Sequence, residues 1–358
     1  MKRNQPLDIL RGIAILLVLG YHFSGITVLK NFGWTGVDLF FVLSGFLISG
    51  LLFSEFKKHG RINVVRFWIR RGFKIYPSFY LLMILTGVVC LVVRGSEPRE
   101  LLYECLFIQN YMPRIFPHTW SLAVEEHFYL VLPILLISMY KFSPDRKNPF
   151  SKLPWVFFGV AVACLVMRYA EFKMGVAVLT IHAQTHLRID SLFVGVMLGY
   201  VRHFDPGKFT AISRKPLWLF GILLLFPTML SSLFGEFTNT IGMTTLYLGY
   251  GCILVWAVEK KASNFFISRG VAAIGRYSYS IYLWQGLVFE SIFKGHYDAR
   301  FFLLGAPLAI ALGVLMSHWI ELPSLKVRDR FFPSRSVGRK EPMPAIASIA
   351  TAAENQIT

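Results

Sequence analysis

The chain has 358 residues, 55% of them hydrophobic and 16% aromatic, and its mean hydropathy is +0.54. Those values exclude an ordinary soluble domain and predict an all-α, polytopic membrane helical bundle. Its formal net charge of +17, from 37 Lys and Arg against 20 Asp and Glu, reads in so apolar a chain as cytoplasmic loop charge, with no nucleic-acid partner.

About ten transmembrane spans are predicted, at roughly 7–29, 36–53, 75–94, 120–140, 153–170, 188–204, 216–234, 242–258, 277–294 and 301–320. With the N-terminus inside, the inner segments carry more than three times the Lys and Arg of the outer ones. Both termini are therefore expected in the cytoplasm. The first span is long, carries Arg11 and lacks a small-residue cleavage site, so it is read as retained rather than as a signal peptide.

Residues 7–53 form a candidate membrane hairpin holding four groups that do not belong in lipid: Asp8, Arg11, His22 and Asp38. Arg11 and His22 are eleven residues apart, within ~20° of three full helical turns, so they share a face and stand about 16 Å apart along the axis. A guanidinium is a fixed anion clamp, and an imidazole accepts and returns a proton near neutral pH. The bland reading pairs Arg11 with Asp8 as a membrane anchor and makes His22 an interhelical hydrogen bonder. Intramembrane ionisable groups are costly, which favours a functional role.

Segment 54–74, read as the first inner loop, is the densest basic stretch, with Lys57, Lys58, Arg61, Arg66, Arg70, Arg71 and Lys74. It is either a topology signal drawn to anionic lipid or a cradle for phosphates. In TWSLAVEEHFYLVLP, at 119–133, Glu125 and Glu126 diverge by ~100° and cannot both face one site. His127 and Tyr129 add polar groups to the same stretch, for which an interfacial helix start is the plainer account. RIDSLFVGVMLGY, at 188–200, sets Arg188 and Asp190 at the outer mouth of span six, to pair with Asp38 or with Glu125 and Glu126. YSYSIYLWQ, at 277–285, is polar enough to line a cavity, and Glu321 in WIELP is expected to pair with the inner Arg cluster.

Pro77, Pro133, Pro227 and Pro307 are candidate helix breaks. Residues 1–332 are read as one transmembrane domain and 333–358, rich in Ser, Ala and Pro, as a disordered cytoplasmic tail. Cys90, Cys105, Cys164 and Cys252 lack metal-ligand spacing, so neither a disulfide framework nor a metal site is expected. No P-loop, G-x-S-x-G or fixed-period repeat occurs.

Seven blocks in order carry a likeness: LDILRGIAILLVLGYHF, GVDLFFVLSGFLISGLL, RRGFKIYP, TWSLAVEEHFYLVLP, RIDSLFVGVMLGY, YSYSIYLWQ and WIELP. Together they resemble acyltransferase family 3 of integral membrane O-acyltransferases, from about residue 4 to about 332. The resemblance implies a bundle of roughly ten helices that moves acyl groups from cytoplasmic acyl-CoA to sugars or other hydroxyl acceptors. No permanently bound cofactor is expected; acyl-CoA is a co-substrate, and the bilayer of the bacterial inner membrane is the setting. On that footing Arg11, Arg70, Arg71 and Lys74 bind the donor's phosphates. Lys74 stands where the family commonly has a further Arg, which removes a bidentate contact.

His22 is then the general base on the acceptor hydroxyl, with Asp38, Glu125 or Glu126 orienting it. Arg188, Asp190, Tyr129 and Gln285 serve the acceptor side or the structure. The family often has His at the position of Gln285, and an amide there keeps hydrogen bonding but not proton transfer. No segment is long enough for the hydrolase-like domain fused to some family members. The rival reading is a transporter or flippase for a lipid-linked sugar, which predicts inverted repeats that the sequence does not display.

Overall fold

The computed structural model describes residues 4–333 apart from 24–25, 94, 96, 146 and 293–298. Among the described residues the chain is helical and contains no strand. The helices are α1 Gln5–Phe23, α2 Thr27–Phe32, α3 Gly36–His59, α4 Val64–Val93, α5 Pro98–Cys105, α6 Trp120–Phe142, α7 Leu153–Lys173 and α8 Val178–Ala183. They continue with α9 Thr185–Phe204, α10 Pro206–Ser213, α11 Leu217–Leu230, α12 Met243–Val258, α13 Phe266–Arg276, α14 Ser278–Leu287, α15 Ala299–Met316 and α16 Leu322–Phe331.

Seven helical stretches are long and apolar enough to cross a membrane, or eight if α10 and α11, bent by 73° at residues 214–216, count as one span. A helical membrane bundle is thus what the chain forms. The other two predicted spans are also helical. One is α9, which carries Arg188, Asp190 and Arg202; the other is α14, which runs ten residues before a π-helical turn, Val288–Ile292. Pro77, Pro133, Pro227 and Pro307 sit inside α4, α6, α11 and α15 without ending them. The predicted tail, from residue 334 on, lies outside the described residues.

The basic segment 54–74 is not a loop. Gly60, at φ 66°, closes α3 with its N–H on the Phe56 carbonyl, and the Asn63 side chain accepts from Arg66 N–H to open α4. Lys and Arg are good helix formers, and they extend both helices past the apolar stretch. Their positions on α4 are therefore set by helical phase, a point that matters at the site.

Two packing seams fix the scaffold. Helix α3 lies along α9, and α1 lies between α13 and α3. The α3–α9 seam depends on Gly45 and Gly195: a Cβ on Gly45 would meet the Leu192 carbonyl at 1.9 Å, and one on Gly195 the Val42 carbonyl at 2.3 Å. Small residues here let two backbones touch, the device that packs helices where lipid offers no hydrophobic drive. Buried beside the seam are two ion pairs, Arg188–Asp38 at 2.7 Å and Arg168–Asp190 at 2.8 Å. They tie α9 to α3 and α7.

Candidate active site

Two cavities lie along α1, one at each end of its polar face. Arg11 lines the first and His22 lines the second. The spacing read from the sequence thus separates the two side chains into different chambers rather than one.

The Arg11 chamber is walled by α3, α4, α6 and α14. Arg71 and Lys74 of α4, Glu125 and Tyr129 of α6, Ser44 of α3 and Arg276 at the end of α13 face it. Tyr129 donates its hydroxyl proton to Glu125 Oε2 (2.8 Å) and takes a hydrogen bond from Ser44 (2.7 Å). The Arg71 guanidinium stacks 5.1 Å from the Tyr129 ring centroid. Lys74 is ion-paired with Glu321, whose other oxygen accepts from Ser280 (2.6 Å) and Ser317 (3.2 Å). Arg11 stands 3.6 Å from Asp8. Arginines outnumber the acid in this chamber, so it favours an anion.

Helical phase separates the α4 cations. Arg71 and Lys74 both line the chamber; Arg70 is turned by ~100° from Arg71, though only ~40° from Lys74, and does not line it. Arg70 meets Asp329 of α16 at 3.1 Å and donates to the Phe332 carbonyl, away from the chamber. Glu125 and Glu126 diverge as expected, and Glu126 accepts from the Tyr76 hydroxyl (3.0 Å) and lines neither chamber. Tyr129, read from the sequence as serving the acceptor side or the structure, lines the Arg11 chamber with Glu125.

The His22 chamber collects Trp34, Arg114, His118, His182, Arg188, Gln285 and Glu290. The His22 ring packs 5.4 Å from Phe289. His118 Nε2 lies 3.1 Å from the Leu283 carbonyl. A carbonyl only accepts, so Nε2 carries the proton and Nδ1 keeps a lone pair. The ring rests on Gly286, where a Cβ would meet it at 2.1 Å. His182 Nε2 bonds Asn239 at 2.9 Å, and burial, then the nearby Arg188 charge, push its pKa down to about 3, so it stays neutral. Gln285 is 1% exposed and neither amide atom has a protein partner, which leaves a donor and an acceptor together at the wall.

The carboxylates expected to orient His22 are engaged elsewhere. Asp38 is bound to Arg188, Glu125 to Tyr129 and Glu126 to Tyr76. Asp190 accepts from Arg168 and from Ser191 N–H and lines neither chamber. Among the described residues, the acid lining the His22 chamber is Glu290, in the π-helical turn after α14.

The family model for an acyltransferase domain matches residues 4–321. The chain belongs to that acyltransferase family. A Staphylococcus aureus strain MSSA476 protein with a provisional O-acetyltransferase name is 25% identical over 91% of this chain and 58% of its own length. The peptidoglycan O-acetyltransferase OatA of Listeria monocytogenes is 26% identical over 79% of this chain and 49% of its own length. The O-acetyltransferase OatA of S. aureus strain NCTC 8325 is 24% identical over 89% and 57%. The chain therefore spans 49% to 58% of the length of these relatives. No solved structure matches it.

Sequence reasoning passed over Arg168, His118 and Glu290. Arg168 is fully buried, donating to Asp190, to the Leu187 carbonyl (2.7 Å) and to Thr244 (2.9 Å). The signal for it was present, since an arginine inside an apolar span needs a partner. Glu290, inside the predicted span 277–294, carried the same signal. His118, in the stretch before α6, did not, because it meets α14 only through tertiary packing.

Proposed function

We propose that this chain is an O-acyltransferase that moves an acetyl group from acyl-CoA to a hydroxyl of peptidoglycan, a polysaccharide or a related carbohydrate. The observation that carries the reading is the pair of abutting chambers, one rich in arginine and one rich in imidazole, within a family whose named relatives are O-acetyltransferases. Arg11 and Arg71 would hold the donor's phosphates as forked anion clamps, with Lys74 already balanced by Glu321. Gln285 offers its unpaired amide to the acceptor's hydroxyls.

In the transfer, neutral His22 takes the proton of the acceptor hydroxyl as its oxygen attacks the thioester carbonyl. The carbon–sulfur bond breaks, the new ester carbon–oxygen bond forms, and the proton passes to the departing CoA thiolate. In this reading the Arg11 chamber faces the cytoplasm of the bacterial inner membrane.

The test is thioester consumption. Purified protein in detergent, given acetyl-CoA and peptidoglycan or polysaccharide fragments, should release CoA thiol and yield an acetylated fragment. Transport of a labelled glycolipid with no thiol release would favour the flippase reading instead.

A further inference from the structure

The two chambers have 19 and 18 described lining residues, and they share two, Val37 of α3 and Tyr282 of α14. Everything else on the two walls is distinct. Val37 is 8% exposed and Tyr282 7%, so the shared boundary is tightly packed. The Tyr282 ring meets Phe40 edge-on at 6.3 Å on one side and His118 at 5.9 Å on the other. Its hydroxyl donates to the His118 carbonyl (2.6 Å) and accepts from Ser121 (2.6 Å). A tyrosine with a ring wedged between two aromatics and a hydroxyl held twice is fixed in place rather than free to swing.

We propose that Tyr282, with Val37, is the septum between the two substrate chambers and sets the length of the acyl group that is transferred. The inference rests on the acyl-CoA reading above. Reacting atoms must come within about 3–3.5 Å for transfer. A donor held by Arg11 and Arg71 and an acceptor activated by His22 therefore meet at the surface the chambers share. An acyl chain at that point lies against Tyr282 and Val37, and each added methylene presses on a side chain with no slack. One methylene in such a pocket is worth roughly 10–200-fold in discrimination. The same ring narrows the boundary, so solutes bulkier than the acyl group do not pass from one chamber to the other.

Two measurements test the septum. The first needs no acyl-CoA. With Cys90, Cys105, Cys164 and Cys252 replaced, Gln285→Cys is probed with a membrane-impermeant thiol reagent added to either face of sealed vesicles. It should label from one face only; adding Tyr282→Ala should open it to both. Labelling from both faces with Tyr282 present would overturn the barrier, as would labelling from one face only after its truncation. The second compares propionyl-CoA with acetyl-CoA as donor. Tyr282→Ala and the milder Val37→Ala should raise the propionyl-to-acetyl ratio by roughly tenfold or more, while Tyr282→Phe, which keeps the ring, should leave it within about twofold. An unchanged ratio in Val37→Ala and Tyr282→Ala protein that still elutes as a single folded species would overturn the length filter. If unaltered protein consumes no acyl-CoA, the donor reading fails, and the labelling result still decides the barrier.

Discussion

The Arg11 chamber and the His22 chamber are built by different rules. In the first, Lys74 is met by Glu321, Glu125 by Tyr129 and Tyr129 by Ser44, and the charge left over belongs to arginines. In the second, polar atoms are left over, with both amide atoms of Gln285 unpaired and His118 Nδ1 bearing a lone pair. Buried polar groups without partners are expensive, so they persist where a ligand completes them. A chamber of fixed, net positive charge suits a donor whose phosphates are the same every turnover. One with open donors and acceptors suits a hydroxyl substrate undergoing chemistry.

The largest predicted effect falls on the second chamber. His22→Ala should lower transfer by about 10²–10⁴-fold, the usual loss of a general base, with detergent-solubilised yield and melting temperature near normal. Near-normal turnover would remove His22 from the chemistry. An equal loss of folded protein would make it a packing residue.

The first chamber is broken next. Arg71→Ala should raise the KM for acetyl-CoA by roughly 10–100-fold, as expected for losing a charge-assisted hydrogen bond, with less change for acetyl-pantetheine. Its neighbour sharpens the point. Arg70→Ala should leave both constants within about twofold, because Arg70 is turned toward Asp329 and a half-exposed pair contributes little. Equal losses for the two variants would mean that the donor is held by the whole basic helix end, not by the Arg71 face.

Gln285→Leu should raise the acceptor's KM by roughly 2–10-fold while leaving that for acetyl-CoA unchanged. A change in the donor constant alone would place the amide on the wrong substrate.

The smallest effect lies in the segment that frames the His22 chamber. Burial pushes the Glu104 carboxyl up to about 7, against the pull of hydrogen bonds from Phe116 N–H (3.1 Å) and Thr119 (2.8 Å). The folded chain then holds the Glu104 proton more tightly than the unfolded chain, whose carboxyl titrates near 4.5. Its stabilising contribution is complete below about pH 4.5 and is lost as pH rises through about 7. The melting temperature should decline gently over that window, and Glu104→Gln should flatten the decline.

Much of this contrast was legible in the sequence, and particular residues show why the rest was not. Arg11 and His22 could be placed on one helix face because their spacing is local and helical period is fixed. The divergence of Glu125 from Glu126 followed from phase, and the expense of buried charge predicted an inner cation for Glu321, though an arginine was expected and Lys74 is the partner. Arg70 could not be told from Arg71 while their segment was read as a loop, since only a helix assigns them different faces. His118 and the shared Tyr282 are brought together by hydrogen bonds between residues 161 and 164 positions apart. No local pattern records a contact of that range.

The central claim is that donor binding and proton transfer reside in separate chambers. The most direct measurement is CoA affinity of purified His22→Ala and Arg71→Ala proteins, by calorimetry, with dephospho-CoA as the comparison. The account predicts His22→Ala binding CoA within about twofold of the unaltered protein, and Arg71→Ala binding it roughly 10–100-fold more weakly. Loss of CoA affinity in His22→Ala equal to that in Arg71→Ala would contradict it.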